Sequence, residues 1–239
     1  MEITLLGTGT SHGVPVIGCD CSVCQSDNPK NKRMRCGAYI KIGDMGILID
    51  TPPELRLQLL RENINMVDAV LFTHAHADHI FGLDDIRMFN KLSGHPMHCY
   101  GALQTLSVLR RVFDYAFGPI QIGGGIPQLD LIEISSAFLV ENVRVIPVPV
   151  QHGRFNVLGY RIGNFAYVTD CNLIPEESMA LLENLDLLVL GVLRPKKHTT
   201  HFSLEQGLEV VAELKPKRSV FTHMSHRMDY ESISSILPA

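Results

Sequence analysis

At 239 residues, with 46% hydrophobic side chains and a formal net charge of -4, the chain is long enough for one sizeable core and carries no overall cationic footprint for nucleic acid. The longest apolar run of the second half, Leu187 to Leu193, is too short to span a bilayer, and the start lacks a charged n-region and a cleavage site, so a cytoplasmic location with no membrane partner is expected. Six cysteines, three of them at Cys19, Cys21 and Cys24, together with 11 histidines suit metal ligation in a reducing compartment better than a disulfide framework.

In chain order, Glu2 to Leu6 reads as a strand, followed by the flexible loop Gly7 to Gly13, whose glycine spacing falls short of a dinucleotide fingerprint. Cys19-Asp-Cys21-Ser-Val-Cys24 has the spacing that lets three thiolates converge on one Zn2+, with a fourth ligand required from elsewhere, and such a closed site is structural. Ala38 to Ile42 and Gly46 to Ile49 form a hairpin around Gly43-Asp44. It ends at Asp50, ahead of an amphipathic helix with Leu55, Leu59 and Leu60 on one face. Asp50 is equally readable as support for a metal ligand and as a helix-capping turn residue.

Val67 to Phe72 is a buried strand that runs into His74-Ala-His76-Ala-Asp78-His79, four ligand-type side chains within six residues. Ile80 to Leu92 reads as a helix with Asp84, Asp85 and Arg87 on a solvated face. Met97 to Tyr100 is a strand, Leu103 to Val112 a helix, and Gly118 to Gly125 a glycine-rich surface loop near the site; His95 and His98 read as structural. Val143 to Val150 is a strand followed by His152, and Val157 to Ile162 with Phe165 to Thr169 form a hairpin ending at Asp170. Pro175 to Leu182 is a helix, Leu187 to Gly191 a strand, and Ser203 to Leu214 a helix opened by a Ser203/Gln206 capping box. Val220 to Thr222 is a last strand, delivering His223 and then His226.

Strand ends expose side chains to a cleft, and the ligand types that collect there are His74, His76, Asp78, His79, His152, Asp170 and His223. Seven such groups are enough for two cations, which lower the pKa of a shared water and clamp the oxygens of a displacement at phosphorus or carbonyl carbon. Any one distant histidine alone is more readily a hydrogen-bonded core residue; recurrence at several strand ends favours the metal.

The series His74-x-His76-x-Asp78-His79, His152, Asp170, His223 resembles the ligand set of the metallo-β-lactamase superfamily. The segments Gly7-Thr-Gly-Thr-Ser-His-Gly-Val-Pro15, Cys19-x-Cys21-x-x-Cys24 and His223-Met-Ser-His226 resemble its PhnP family, phosphodiesterases of the carbon-phosphorus lyase pathway. The resemblance runs from residue 3 to about residue 237. It implies a four-layer αβ/βα sandwich of two mixed sheets with outer helices, an α/β (α+β) fold in one domain over residues 1–239 with a zinc knuckle inserted at about 19–36. It also implies that His74, His76 and His152 hold one divalent metal and Asp78, His79 and His223 another, Mn2+ or Zn2+, with Asp170 bridging. Cys19, Cys21, Cys24 and His226 would hold one structural Zn2+.

By the same resemblance His201, just before the late helix, assists catalysis alongside Asp78, with His198 the runner-up or a residue that pins the loop. Such chains more often read Gly-Pro-Asp where this one has Thr51-Pro-Pro-Glu54, and they continue past Leu237-Pro238 into a further strand, so a truncated terminal strand is expected. The implied function is hydrolysis of a small phosphodiester, a cyclic ribosyl phosphate among them, by a water activated between two metals. No nucleic-acid partner is expected, and a homodimer is compatible by analogy. The alternatives are a tRNA 3′-processing-type nuclease, another hydrolase of the superfamily, and a non-catalytic, zinc-stabilised binding protein.

Overall fold

The computed structural model describes residues 1–118 and 125–238. Its strands are β1 (Glu2–Gly7), β2 (Gly37–Ile42), β3 (Met45–Ile49), β4 (Ala69–Leu71), β5 (Met97–Gly101), β6 (Leu129–Glu133), β7 (Phe138–Val140), β8 (Val143–His152), β9 (Phe155–Ile162), β10 (Phe165–Val168), β11 (Leu187–Gly191) and β12 (Arg218–Thr222). Helices are α1 (Ser22–Gln25), α2 (Leu55–Arg61), α3 (Ala77–Ile80), α4 (Arg87–Ser93), α5 (Leu103–Val112), α6 (Glu176–Ala180), α7 (Leu204–Leu214) and α8 (Tyr230–Ser234). Two six-stranded sheets result, ordered β1-β2-β3-β4-β5-β6 and β12-β11-β10-β9-β8-β7. Both are mixed: β3 to β6 run parallel with β2 antiparallel to β3, and β10 to β12 run parallel with β8, β9 and β10 antiparallel in turn. The chain divides into two compact units, one of Met1–Leu6 with Cys36–Arg144, the other of Gly7–Arg35 with the chain from Val145 onward.

In the first unit the short central strand β4 is apolar on both faces, and it feeds a core of Leu48, Val70, Phe72, Leu83, Ile86 and Leu109. A fully buried side chain of this size contributes about 1.5–3 kcal/mol. Helix α2 seats Leu55 and Leu59, but the third inward position belongs to Gln58, and Leu60 is 60% exposed. The spacing i, i+3, i+4 from Leu55 selects residues 58 and 59, so Leu60 falls one step past the buried face.

The expected helix over Ile80 to Leu92 is instead α3, a 3-10 turn at Leu83–Ile86 and α4. Gly82 marks the break: a Cβ there would stand 2.2 Å from the Pro52 carbonyl oxygen, and its N–H donates to the Thr51 carbonyl at 2.8 Å. The close approach bolts the ligand-bearing turn to the segment after Asp50. Replacing Gly82 with Ala forces backbone apart, and we expect a loss of about 1–3 kcal/mol in denaturant unfolding with no change in the far-UV spectrum.

Sequence periodicity misses β6 and β7. Leu129-Asp-Leu-Ile-Glu133 is a half-exposed edge strand and Phe138–Val140 has three residues, so neither carries a strong apolar pattern. Of the glycine-rich stretch, residues 119–124 lie outside the described residues.

The second unit packs Val148, Val150, Ala166, Val168, Leu188, Leu190, Phe202 and Met228 into its own core. Helix α7 starts at the expected capping box, with Ser203 accepting from the Gln206 N–H and Gln206 accepting from the Ser203 N–H. Helix α6 is shorter than expected, Glu176–Ala180. Among the described residues no helix is long and apolar enough to cross a membrane.

Candidate metal centres

In the first unit, β4 is followed by Phe72 and Thr73, and the turn beyond them carries His74, His76, Asp78 and His79. His74 Nε2 lies 3.0 Å from His76 Nδ1, and His79 Nε2 lies 3.3 Å from Asp78 Oδ2. Asp50 stands at the end of the parallel neighbour β3 and is fully buried. Its Oδ1 accepts from the Thr73 N–H at 2.8 Å, and its Oδ2 accepts from the Thr73 hydroxyl at 2.8 Å and from His79 Nδ1 at 2.7 Å.

Because that hydroxyl donates to Asp50, it accepts from His74 Nδ1 at 3.0 Å. One carboxylate therefore fixes the tautomer of two imidazoles and leaves both Nε2 atoms as acceptors, the form a metal requires. Burial pushes the Asp50 carboxyl upward, and the donors from His79 and Thr73 pull it back. Asp50 thus contacts Thr73 and His79 and does not cap α2, whose N-cap residue is Glu54.

In the second unit, β8 delivers His152, β10 leads to Asp170 and β12 to His223. His223 Nε2 lies 3.2 Å from Asp170 Oδ2. His152 Nδ1 donates to the Thr200 carbonyl at 2.9 Å, again directing Nε2 outward as an acceptor. His201 Nδ1 is 4.0 Å from Asp170 Oδ2, and its ring stacks on that of His223 at 4.8 Å. Burial holds the His201 imidazole down to about 3 against the pull of Asp170, with His223, His152 and His198 adding to the depression.

His198 Nδ1 accepts from the Thr200 N–H at 3.3 Å and meets the Thr200 hydroxyl at 3.2 Å, so it pins the loop. A Cβ on Gly191, at the end of β11, would stand 3.0 Å from the backbone N of Asp170 and from Thr169 Cα, a close approach between the two strand ends.

Asp50, Asp170 and His223 each adopt a left-handed backbone, with φ of 62°, 53° and 57°. Asp and His, with Asn, are the non-glycine types enriched in this region, and all three of these residues stand just past a strand.

The second unit also holds the cysteine cluster. Cys19, Cys21 and Cys24 place their Sγ atoms 3.2, 3.5 and 3.6 Å from His226 Nδ1. Ligands of one tetrahedral Zn2+, with bonds near 2.3 Å for sulfur and 2.0–2.1 Å for nitrogen, stand roughly 3.5 Å apart, so these four fit the ion. The backbone N–H of Cys24 is the first cause that draws the Cys21 thiol down to about 6, while burial pushes Cys24 up.

Arg33, buried behind the knuckle, donates to the carbonyls of Ser225 and Met228 at 3.4 and 2.6 Å and to Asn31 Oδ1 at 3.1 Å. Asn31 in turn donates to Asp229 at 2.8 Å. The knuckle is thus stitched to the loop that carries His223 and His226.

The three close pairs of the other set, at 3.0, 3.3 and 3.2 Å, match the edges of a coordination polyhedron with bonds of about 2.0–2.2 Å, so the donors fit divalent metals. Thr73 and Thr200, which hold these imidazoles, are passed over by sequence reasoning; their one signal is a hydroxyl residue beside a strand-end histidine. His98, half-exposed and 3.6 Å from Asp130, stands apart from these clusters.

The model of a beta-lactamase superfamily domain matches residues 46–224. An octanoyltransferase of Porphyromonas gingivalis is 38% identical over 232 residues, 95% of this chain and 46% of that protein. A ribonuclease Z of Picosynechococcus sp. is 30% identical over 166 residues, 68% of this chain and 47% of that one. The chain thus spans about half the length of the curated relatives it matches.

A crystal structure described as a new diphosphatase from the PhnP family superposes with a TM-score of 0.93 at 41% identity, covering 99% of this chain and 91% of its own. Human short-form tRNase Z shares the fold at 19% identity, with a TM-score of 0.72 over 96% of this chain and 95% of its own. With two mixed sheets, strand-end ligands and these matches, the chain belongs to the metallo-β-lactamase superfamily and resembles its PhnP family.

Proposed function

We propose that this chain is a metal-dependent hydrolase of phosphoric diesters, with a small diester, a cyclic ribosyl phosphate among them, as its substrate. His74, His76 and His152 would hold one ion, Asp78, His79 and His223 the second, and Asp170 both; Cys19, Cys21, Cys24 and His226 would hold the structural Zn2+. Two divalent cations, Mn2+ or Zn2+, supply Lewis acidity that lowers the pKa of a water and offsets charge developing on phosphoryl oxygens. Asp50 keeps the imidazoles of His79 and, through Thr73, His74 in the ligating tautomer. His201, kept neutral by burial, would offer an N–H hydrogen bond to the departing oxygen beside Asp170, without giving up the proton.

The observation that carries the phosphate half of this reading is the basic loop Arg194-Pro-Lys196-Lys197-His198. Arg194 donates to the carbonyls of Lys196 and Lys197 at 3.1 and 2.8 Å, which curls the loop and leaves both lysines exposed. The same segment continues into Thr200, bound to His152, and His201, beside Asp170. In a chain of net charge -4, cations gathered there favour an anionic substrate. Replacing Lys196 and Lys197 together with Ala is expected to raise KM for a diester roughly 3- to 10-fold and flatten its salt dependence, with kcat within about twofold.

The test is hydrolysis by metal-loaded protein of bis(p-nitrophenyl) phosphate, a cyclic ribose phosphate, a nucleoside diphosphate and a lactam. Turnover of the first two supports the reading, and turnover of the lactam alone sinks it. The diphosphate is included because the PhnP-family relative is described as a diphosphatase. The ribonuclease Z likeness favours a second reading, a tRNA 3′-processing-type nuclease, which predicts tRNA binding with a steep salt slope.

A further inference from the structure

Cys36 is neither one of the four residues assigned to the structural zinc nor part of the ligand series of the sequence, yet it is fully buried. It precedes β2, and a Cβ on the next residue, Gly37, would stand 3.2 Å from the Pro52 side chain, so the chain at Cys36 runs beside the segment that follows Asp50. Asp50 is the carboxylate that holds His79, and the Cys36 Sγ and a ring nitrogen of His79 lie within 4.8 Å of each other. A thiolate and an imidazole on one ion stand between roughly 3.5 Å, for tetrahedral neighbours, and roughly 4.4 Å, for trans partners. The other cysteines outside the knuckle differ. Cys99 and Cys171 sit within the apolar clusters of their units, where burial pushes each thiol upward, and they behave as small hydrophobes.

We propose that Cys36 is a further ligand for the ion assigned to Asp78, His79 and His223, and that it tunes that position toward Zn2+ and away from Mn2+. The inference rests on the dinuclear reading above. Thiolate sulfur is a soft donor that Zn2+ accepts, whereas Mn2+ favours carboxylate, carbonyl and water oxygens. Zn2+ uptake then forms a metal-sulfur bond and releases the thiol proton to solvent.

The experiment compares the full chain with Cys36→Ser, both with the knuckle filled by Zn2+, using competition against a chelating indicator for Zn2+ and for Mn2+. We expect the variant to bind Zn2+ at least about tenfold more weakly in its remaining sites, with Mn2+ affinity within about twofold. Co2+ loaded into those sites of the unsubstituted protein gives sulfur-to-cobalt charge-transfer absorption that the variant lacks. Equal Zn2+ affinity and equal Co2+ spectra show an inert buried thiol and overturn the proposal. An equal loss for both metals shows a packing role and overturns it too, and Cys36→Ala then reproduces that loss. If the unsubstituted protein takes up only the knuckle zinc, the dinuclear reading falls and this inference with it, a result separable from the others by metal content alone.

Discussion

Substituting Asp50 is expected to disable the metal centre more completely than its distance from any substrate suggests. Asp50→Asn keeps the volume, but its amide nitrogen confronts donors that now point at a carboxylate: the Thr73 N–H, the Thr73 hydroxyl and His79 Nδ1. Satisfying the amide requires His79 or Thr73 to reverse its hydrogen bond, which turns the ligating tautomer around. Loss of such a supporting carboxylate lowers metal affinity about 10- to 100-fold. Asp50→Ala is harsher, because three buried donors lose their acceptor, and about 3–5 kcal/mol of stability is expected to go. Metal competition on the Asn variant and urea unfolding of the Ala variant separate the two effects. Unchanged affinity in the first would show that Asp50 serves the turn and not the ligands.

The second large effect is expected from the knuckle. Cys21→Ser removes one of three thiolates around His226 Nδ1, at a site well supplied with donors but with a small apolar core of Val14, Val23 and Cys24. Structural zinc contributes apparent free energies of about 10–16 kcal/mol in isolated fingers, and here the same loop is also held by Arg33 and Asn31. Even about a third of that figure, near 4 kcal/mol, lowers Tm by roughly 8–16 °C in a chain of this size. His226 lies three residues beyond His223, so freeing the loop also frees a ligand, and hydrolysis is expected to fall by at least about tenfold. Differential scanning calorimetry and a zinc count of the variant check this; a normal Tm with one zinc fewer would mean that Arg33 and Asn31 hold the loop without the ion.

Much of this arrangement is legible in the sequence, for reasons that differ between elements. The ligand turn is legible because four ligand types directly follow a strand too apolar to be anything but buried. Helices α5 and α7 are legible from their periodicity and, for α7, from a capping box that the structure reproduces bond for bond. The distant candidates His152, Asp170 and His223 lie at or just past the ends of β8, β10 and β12, runs rich in β-branched and aromatic residues.

Other features depend on partners far along the chain. Leu60 reads as core by composition, but the helical face turns past it to Gln58. The break at Gly82 follows from the Pro52 carbonyl, which no local pattern announces. Asp50 followed by Thr-Pro-Pro has the look of a cap, and only the Thr73 and His79 contacts decide its role. Cys36 gives no sign at all, since a single cysteine before a strand is most often a small core residue.

A dinuclear hydrolytic centre together with a separate structural zinc requires a definite metal content of the chain. Elemental analysis of the purified protein tests it most directly, before and after mild chelation. About three metals per chain are expected, of which about one survives the chelator, with hydrolysis lost and then restored by Mn2+ or Zn2+. A single metal per chain that chelation leaves in place, with none taken up on reloading, would contradict it and leave a zinc-stabilised binding protein.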